Sequence, residues 1–171
     1  MPTVDPDAKR WQELTAKRIG RAVQMYRDRR GLSASQLADR TRELGYPIHR
    51  VTISKIESGN RLGKVDVCEL LVLAKALGTD PLSLVLPDLL DGEVELTPGD
   101  PMPTHAAIRE FVGQSFDETS MRVYWDYLDL VARQRMYEQR GNDDAAHEAR
   151  EQARQTIQWG VEHYGWEVRN G

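Results

Sequence analysis

Apolar side chains recur every three or four residues through most of the chain, the spacing of an α-helix that buries one face. In the first half this pattern is divided by glycine and proline into five short segments. It predicts helices over residues 5–30, 33–44, 49–58, 66–77 and 80–86. Five helices with tight turns form a compact all-α domain.

Two of these segments begin with a capping-box pattern. Ser33 is followed three residues later by Gln36, and Asp66 in the same way by Glu69. At such positions each side chain accepts a hydrogen bond from the other residue's backbone N–H. The pattern therefore predicts where the second and fourth helices begin.

The second half of the chain has a different organisation. Residues 87–103 are rich in proline and glycine and are predicted to be a linker, with a little extended structure as an open alternative. A short helix is predicted over residues 104–113, and a helical hairpin follows, broken at Gly141. The predicted fold class is all-α: residues 1–13 extend helix one, residues 14–86 form the five-helix domain, and residues 104–171 form a helical module.

Charge separates the same two halves. Residues 1–86 carry a net charge of +5 and residues 87–171 a net charge of −9, within a total of −4. A polyanion would prefer the first half, whereas the acidic half suits a different partner. The chain shows no signal peptide, no apolar run of membrane-spanning length and a single cysteine, so we expect a cytoplasmic protein.

The third segment has an unusual composition for so short a helix. Ile53 and Ile56 give it one thin apolar edge, and the positions around them are polar or charged. A helix that lies in the major groove of DNA needs such a pair of faces, one to anchor it and one to contact base edges. Composition alone is equally typical of a solvated helix face, so the reading role depends on the motifs around this segment.

Three motifs resemble the helix-turn-helix domain of the Cro and lambda-repressor family, also called the xenobiotic-response-element type. They are Gln36-Leu37-Ala38, Ile53-Ser54-Lys55-Ile56-Glu57 with Gly59, and the run Leu73–Gly78, and the resemblance covers residues 14–86. The family runs from its Leu-Ala pair to its Ile-Ser pair in about eleven residues, whereas sixteen separate Leu37 from Ile53. We expect the extra residues to lengthen helix two by about a turn.

The resemblance implies a role for each matching residue. It pairs Arg27 of the first helix with Glu57 as a structural ion pair. It places Arg50, Val51, Thr52, Ser54 and Lys55 toward the bases or the rim of the groove. It places Ser33, Ser35, His49, Asn60, Arg61 and Lys64 at the phosphates.

No catalytic site, cofactor or metal site is predicted. Repressors of this family sometimes carry a self-cleaving protease domain that uses a serine and a lysine, but no lysine follows Lys75. The sequence His147-Glu148-Ala149-Arg150-Glu151 lacks the second histidine of a zinc-protease HExxH motif. It reads as a solvated helix face.

The sequence thus predicts a double-stranded DNA-binding transcription regulator, a repressor of phage-immunity or host type, that forms a homodimer through residues 104–171. One alternative is an antitoxin-like module whose acidic half binds a partner protein. Another is a monomer in which Arg133, Arg135 and Arg140 add DNA contacts. We expect Cys68 to pack inside helix four. The aromatic residues 124, 125 and 127 are expected to pack in a core or dimer, with a small-molecule pocket as the alternative.

Overall fold

The computed structural model describes residues 5–61, 65–88, 92–114 and 120–167. Within them the chain forms eight helices and two short strands, so the predicted all-α fold class is confirmed. The chain divides into two compact units, Met1–Ile108 and Arg109–Gly171. Lys64 and part of the predicted linker lie outside the described residues.

The helices of the first unit lie close to their predicted positions. Their bounds are α1 Pro6–Arg29, α2 Ala34–Glu43, α3 Arg50–Glu57, α4 Val67–Leu77 and α5 Pro81–Val85. The strands β1 Glu93–Glu95 and β2 Pro101–Pro103 follow, and then helix α6 Thr104–Phe111.

The caps explain why α2 and α4 begin where they do. Ser33 Oγ accepts a hydrogen bond from Gln36 N at 3.2 Å, and Gln36 Oε1 accepts one from Ser33 N at 2.8 Å. Asp66 and Glu69 form the second reciprocal pair. Both predicted capping boxes are confirmed. Each satisfies N–H groups that the first turn of a helix leaves without a partner.

The core of the first unit lies where α1 to α4 meet. It is built from branched side chains that are fully excluded from solvent, one or two from each helix. They are Val23, Leu37, Ile53, Leu73 and Leu77. Since every fully buried apolar side chain contributes roughly 1.5–3 kcal/mol, this cluster is the main source of the unit's stability.

The connection between α2 and α3 is a six-residue loop. Helix α2 ends at Glu43, within one residue of its predicted end, and residues 44–49 form the loop. A buried hydroxyl holds this loop: Thr41 Oγ1 donates to Ala38 O at 2.8 Å and accepts from Ile48 N at 2.9 Å. Thr41 is fully buried and Ile48 is 3% exposed. The loop therefore fixes the position at which α3 begins.

Replacing Thr41 with valine should lower the free energy of unfolding by about 1–3 kcal/mol, because Ile48 N would be left buried without an acceptor. Thr41→Ser keeps the hydroxyl and loses only a methyl group, so it should cost less than Thr41→Val. Urea denaturation of both variants tests the prediction. Equal losses would show that packing of the methyl group, not the hydrogen bond, holds the loop.

The region predicted to be a linker contains an antiparallel hairpin. Val94 pairs with Met102, and a small second core forms from Leu86, Val94 and Ala107. The hairpin is tied to the start of α1, because Trp11 Nε1 donates to the Glu95 carbonyl at 3.1 Å. The prolines in β2 are compatible with a strand that has a partner on one side only.

Cys68 is exposed, so the expectation that it packs inside helix four is wrong. The buried stripe of α4 runs through Leu73, Ala74 and Leu77. Cys68 lies in the first turn of the helix, well away from that stripe around the helix axis. Periodicity had indicated the helix but not which side of its first turn meets the core.

The second unit is a hairpin of two long helices, α7 Ser120–Gln139 and α8 Asp143–Tyr164. Gly141 has a φ of +68°, and Asn142 Oδ1 accepts a hydrogen bond from Ala145 N at 3.2 Å, which caps α8. The buried residues of α8 are Ala146, Ala149, Ala153 and Gly160, whereas α7 has no buried residue.

Candidate DNA-binding surface

Helix α3 has one face in the core and the other in solvent. Ile53 and Ile56 are 0% and 1% exposed and lie three residues apart on the buried face. The outer face carries the predicted base-reading residues: Arg50, Val51, Ser54 and Lys55 are exposed, and Thr52 is half-buried. Val51 is 64% exposed, which is high for an apolar side chain next to a complete core. An exposed methyl-bearing side chain among polar ones suits the mixed edges of base pairs.

An ion pair fixes the end of α3 to α1. Arg27 Nε donates to Glu57 Oε1 at 2.6 Å, and Arg27 Nη2 donates to Glu57 Oε2 at 3.2 Å. The two side chains are 13% and 12% exposed. The hydrogen bond to Glu57 is the main cause that raises the pKa of Arg27 above its ordinary value. Glu57 therefore faces the protein, and its carboxylate is neutralised by Arg27.

Gly20 allows α1 and α3 to approach each other closely. A Cβ atom on Gly20 would lie 2.2 Å from the carbonyl oxygen of Ile56 and 2.8 Å from that of Glu57. Both are backbone atoms, so a larger residue would displace α3 rather than a side chain. The sequence analysis did not single out Gly20. Its only signal was a glycine in the middle of a long helix, where glycine is unfavourable.

Four of the predicted phosphate-contacting residues are exposed around α3. They are Ser33, Ser35, His49 and Asn60. Ser33 also caps α2, because its Oγ accepts a hydrogen bond from Gln36 N. Arg61 is different, since its side chain is only 28% exposed and forms an ion pair with Glu69. A phosphate contact by Arg61 would have to compete with that carboxylate.

A depression of about 260 Å³ lies between α2 and the start of α3. Ser35, His49 and Arg50 line it together with Asp39 and Arg42. Arg42 is 67% exposed and pairs with Asp39 at 2.9 Å. Arg42 was not predicted from the sequence, although Ser35, Asp39 and Arg42 share one helix face at spacings of four and three residues. Arg42 places a further exposed cation beside the start of α3.

Outside this surface the described residues offer little chemistry. Within them, no group of three His, Cys, Asp or Glu side chains is placed to hold a metal ion. His147 and Glu148, from the incomplete zinc motif, are both exposed on α8. No helix in the described part of the chain is long and apolar enough to cross a membrane.

Comparison with known proteins agrees with the geometry. Residues 18–84 match the sequence family described as a helix-turn-helix domain. No curated protein and no solved structure matches the chain. These residues form a helix-turn-helix domain of the Cro and xenobiotic-response-element kind, which confirms the resemblance. A domain of this kind supports a DNA-binding regulator.

Proposed function

We propose that the chain is a sequence-specific, double-stranded DNA-binding transcription regulator that represses by occupying a promoter. The observation that carries this proposal is the division of α3 between a fully buried isoleucine edge and an exposed polar face. A B-form major groove accepts a single α-helix, whose outer side chains then meet the base edges. A phage immunity repressor and a host regulator fit these features equally.

The proposed roles follow the family pattern, and the base-facing residues among them are exposed. Arg50, Val51 and Lys55 face the bases, with Thr52 and Ser54 at the rim of the groove. Arg50 can donate two hydrogen bonds to guanine O6 and N7, worth about 1–3 kcal/mol of discrimination, and Val51 can contact a thymine methyl group. The phosphate contacts set the register without reading sequence. The proposed set is Ser33, Ser35, His49, Asn60, Arg61 and Lys64.

We also propose that the protein acts as a homodimer. Residues 14–86 would bind DNA and residues 104–171 would mediate self-association. A two-fold dimer presents two reading helices about 34 Å apart, one turn of DNA, and so selects an inverted repeat.

Selection of bound sequences from a random duplex pool tests this function. The wild type should enrich an inverted repeat, and Arg50→Ala should lose preference at one base in each half-site. Lys75→Ala removes an exposed cation from α4 and serves as the matched control, which should leave the selected sequence unchanged. Enrichment of a single asymmetric site would keep DNA reading and contradict the dimer, while no enrichment would contradict the regulator proposal.

The net charge of −9 in residues 87–171 supports one alternative, an antitoxin-like module that binds a basic partner protein. Co-purification of the tagged chain with a small basic protein from its own host would favour this function. A free-standing homodimer would count against it. The two functions are compatible, because the acidic half and the DNA-reading helix are different parts of the chain.

A further inference from the structure

The α7–α8 hairpin lacks a core of its own. Its buried side chains are small, namely Ala146, Ala149 and Ala153, and α7 buries none over twenty residues. Two helices alone rarely bury enough apolar surface to be stable, so such a unit needs something to cover it. The large apolar side chains that could form a core are present but remain partly in solvent.

These side chains collect on one flank of the hairpin. A groove of about 560 Å³ there is lined almost entirely by apolar and aromatic groups, with Glu167 as its one charged lining residue. We call it the aromatic groove and define it by Ser120, Met121, Tyr124, Tyr127, Ile157 and Trp166. The ring of Tyr124 meets that of Trp166 edge to face, with centroids 6.3 Å apart.

Specific contacts place Trp166 on this flank. The chain turns after α8 at Gly165, whose φ of +67° suits glycine, and Trp166 Nε1 donates to Ser120 Oγ at 2.9 Å. Gly160 leaves room for the indole, because a Cβ there would lie 2.2 Å from a ring carbon of Trp166. The wall of the groove is thus built by three local features that act together.

The opposite flank is different in composition. A second depression there is lined by Val123, Asp126 and Trp159 with the polar residues Gln152, Gln155 and Thr156 of α8. Of these two flanks, the aromatic groove is the one that offers a continuous apolar surface.

We propose that the aromatic groove is the dimer interface and that its occupant is the same groove of a second copy. This inference rests on the proposed dimeric function and names the face that forms the dimer. The groove exposes the apolar side chains that would otherwise form the core of the hairpin. A second copy can cover them with an identical surface, because a two-fold contact joins the same patch on both subunits. The pair of hairpins then forms a four-helix bundle.

The available area is sufficient for such a contact. Met121, Tyr124 and Val161 are 44%, 42% and 40% exposed, and Val161 lies one turn beyond Ile157 on α8. With the half-buried members of the groove, they expose roughly 400 Å² of apolar surface, given about 150–250 Å² for a whole aromatic side chain. Interfaces of this kind are about 60–65% apolar, which implies roughly 600–700 Å² per copy. Specific dimers begin at about that size.

The two-fold axis must pass through the patch, near its centre at Tyr124. Side chains close to the axis meet their own counterparts in the other copy. Met121, one turn before Tyr124 on α7, is therefore expected close to the partner's Met121.

Site-specific cross-linking tests this arrangement. In a full-length Cys68→Ser background, Met121→Cys places the only thiol in the aromatic groove, and Gln155→Cys places it on the opposite flank. With a short bismaleimide in the absence of DNA, Met121→Cys should convert most of the protein to a covalent dimer and Gln155→Cys less than a tenth of it. The opposite order, or monomer from both variants, would overturn the proposal.

A second measurement uses no new cysteine. Tyr124→Glu should weaken the dimer at least 100-fold by analytical ultracentrifugation, because it places two carboxylates near the axis, whereas Trp159→Glu should leave it unchanged. Circular dichroism confirms that each variant keeps its helices. A protein that cross-links through Met121→Cys but selects no DNA sequence would contradict the proposed function and leave this interface standing. Sequence selection by a protein that stays monomeric would support DNA reading and contradict this interface.

Discussion

Replacing Glu57 with alanine should lower the free energy of unfolding by about 3 kcal/mol, one of the two largest effects we expect. Arg27 would remain in a site that is 13% exposed, with its charge no longer matched by the carboxylate. Removal of one partner from a mostly buried pair costs more than the pair itself contributes, because the other charge stays buried. Chemical denaturation measures the loss.

The matched control is a substitution of Asp28, the second carboxylate that pairs with Arg27. Arg27 Nη1 also pairs with Asp28 Oδ1 at 2.7 Å, but Asp28 is 59% exposed, so Asp28→Ala should cost at most about 1 kcal/mol. The double variant Arg27→Met with Glu57→Leu should recover much of the loss, because it leaves no buried charge without a partner and the Asp28 carboxylate that loses Arg27 is exposed. If Glu57→Ala cost no more than Asp28→Ala, the ion pair would not be what holds α3 to α1.

Gly20→Ala should destabilise the domain by about 2–3 kcal/mol and weaken operator binding as well. In an unobstructed helix this substitution would stabilise by about 1 kcal/mol, since alanine is the better helix former. At Gly20 the new methyl group would lie 2.2 Å from the Ile56 carbonyl oxygen, so α1 and α3 must separate. The reading helix would shift relative to the rest of the domain.

Thermal unfolding and operator titration of the same protein test this prediction together. Gln24→Ala, at an exposed position on the same helix, is the control and should change neither quantity appreciably. A Gly20→Ala variant that is more stable than the wild type would show that the two helices can separate without cost. A destabilised variant with unchanged operator affinity would show that α3 keeps its reading position.

Features that depend on neighbours in sequence could be predicted. The caps at Ser33 and Asp66 and the break at Gly141 follow from residues within four positions of one another. The apolar edge of α3 was equally local, because Ile53 and Ile56 stand one turn apart. For the candidate site, the family motifs predicted that Arg27 of α1 pairs with Glu57 of α3, a contact that local spacing could not show.

Features that depend on contacts beyond one helical turn and outside the family motifs could not be predicted. The hydrogen bond of Thr41 depends on the loop that brings Ile48 N back to its hydroxyl. The need for glycine at position 20 depends on the close approach of α3, whose Ile56 lies thirty-six residues further along the chain. The hairpin at Val94 looked like a linker because three-residue strands carry too few side chains to show alternation. Arg42 was overlooked because an exposed arginine on a helix is normally a solvated one.

The bond between Trp11 and Glu95 has a consequence for the order in which the first unit folds. It spans 84 residues of chain, whereas the contact between Thr41 and Ile48 spans only seven. The entropy lost on closing a loop grows with the logarithm of its length, by about 0.6 kcal/mol for each doubling. The turn between α2 and α3 is therefore expected to close early, through a short-range contact. The attachment of the hairpin to the start of α1 then comes late, once the intervening chain has already become compact.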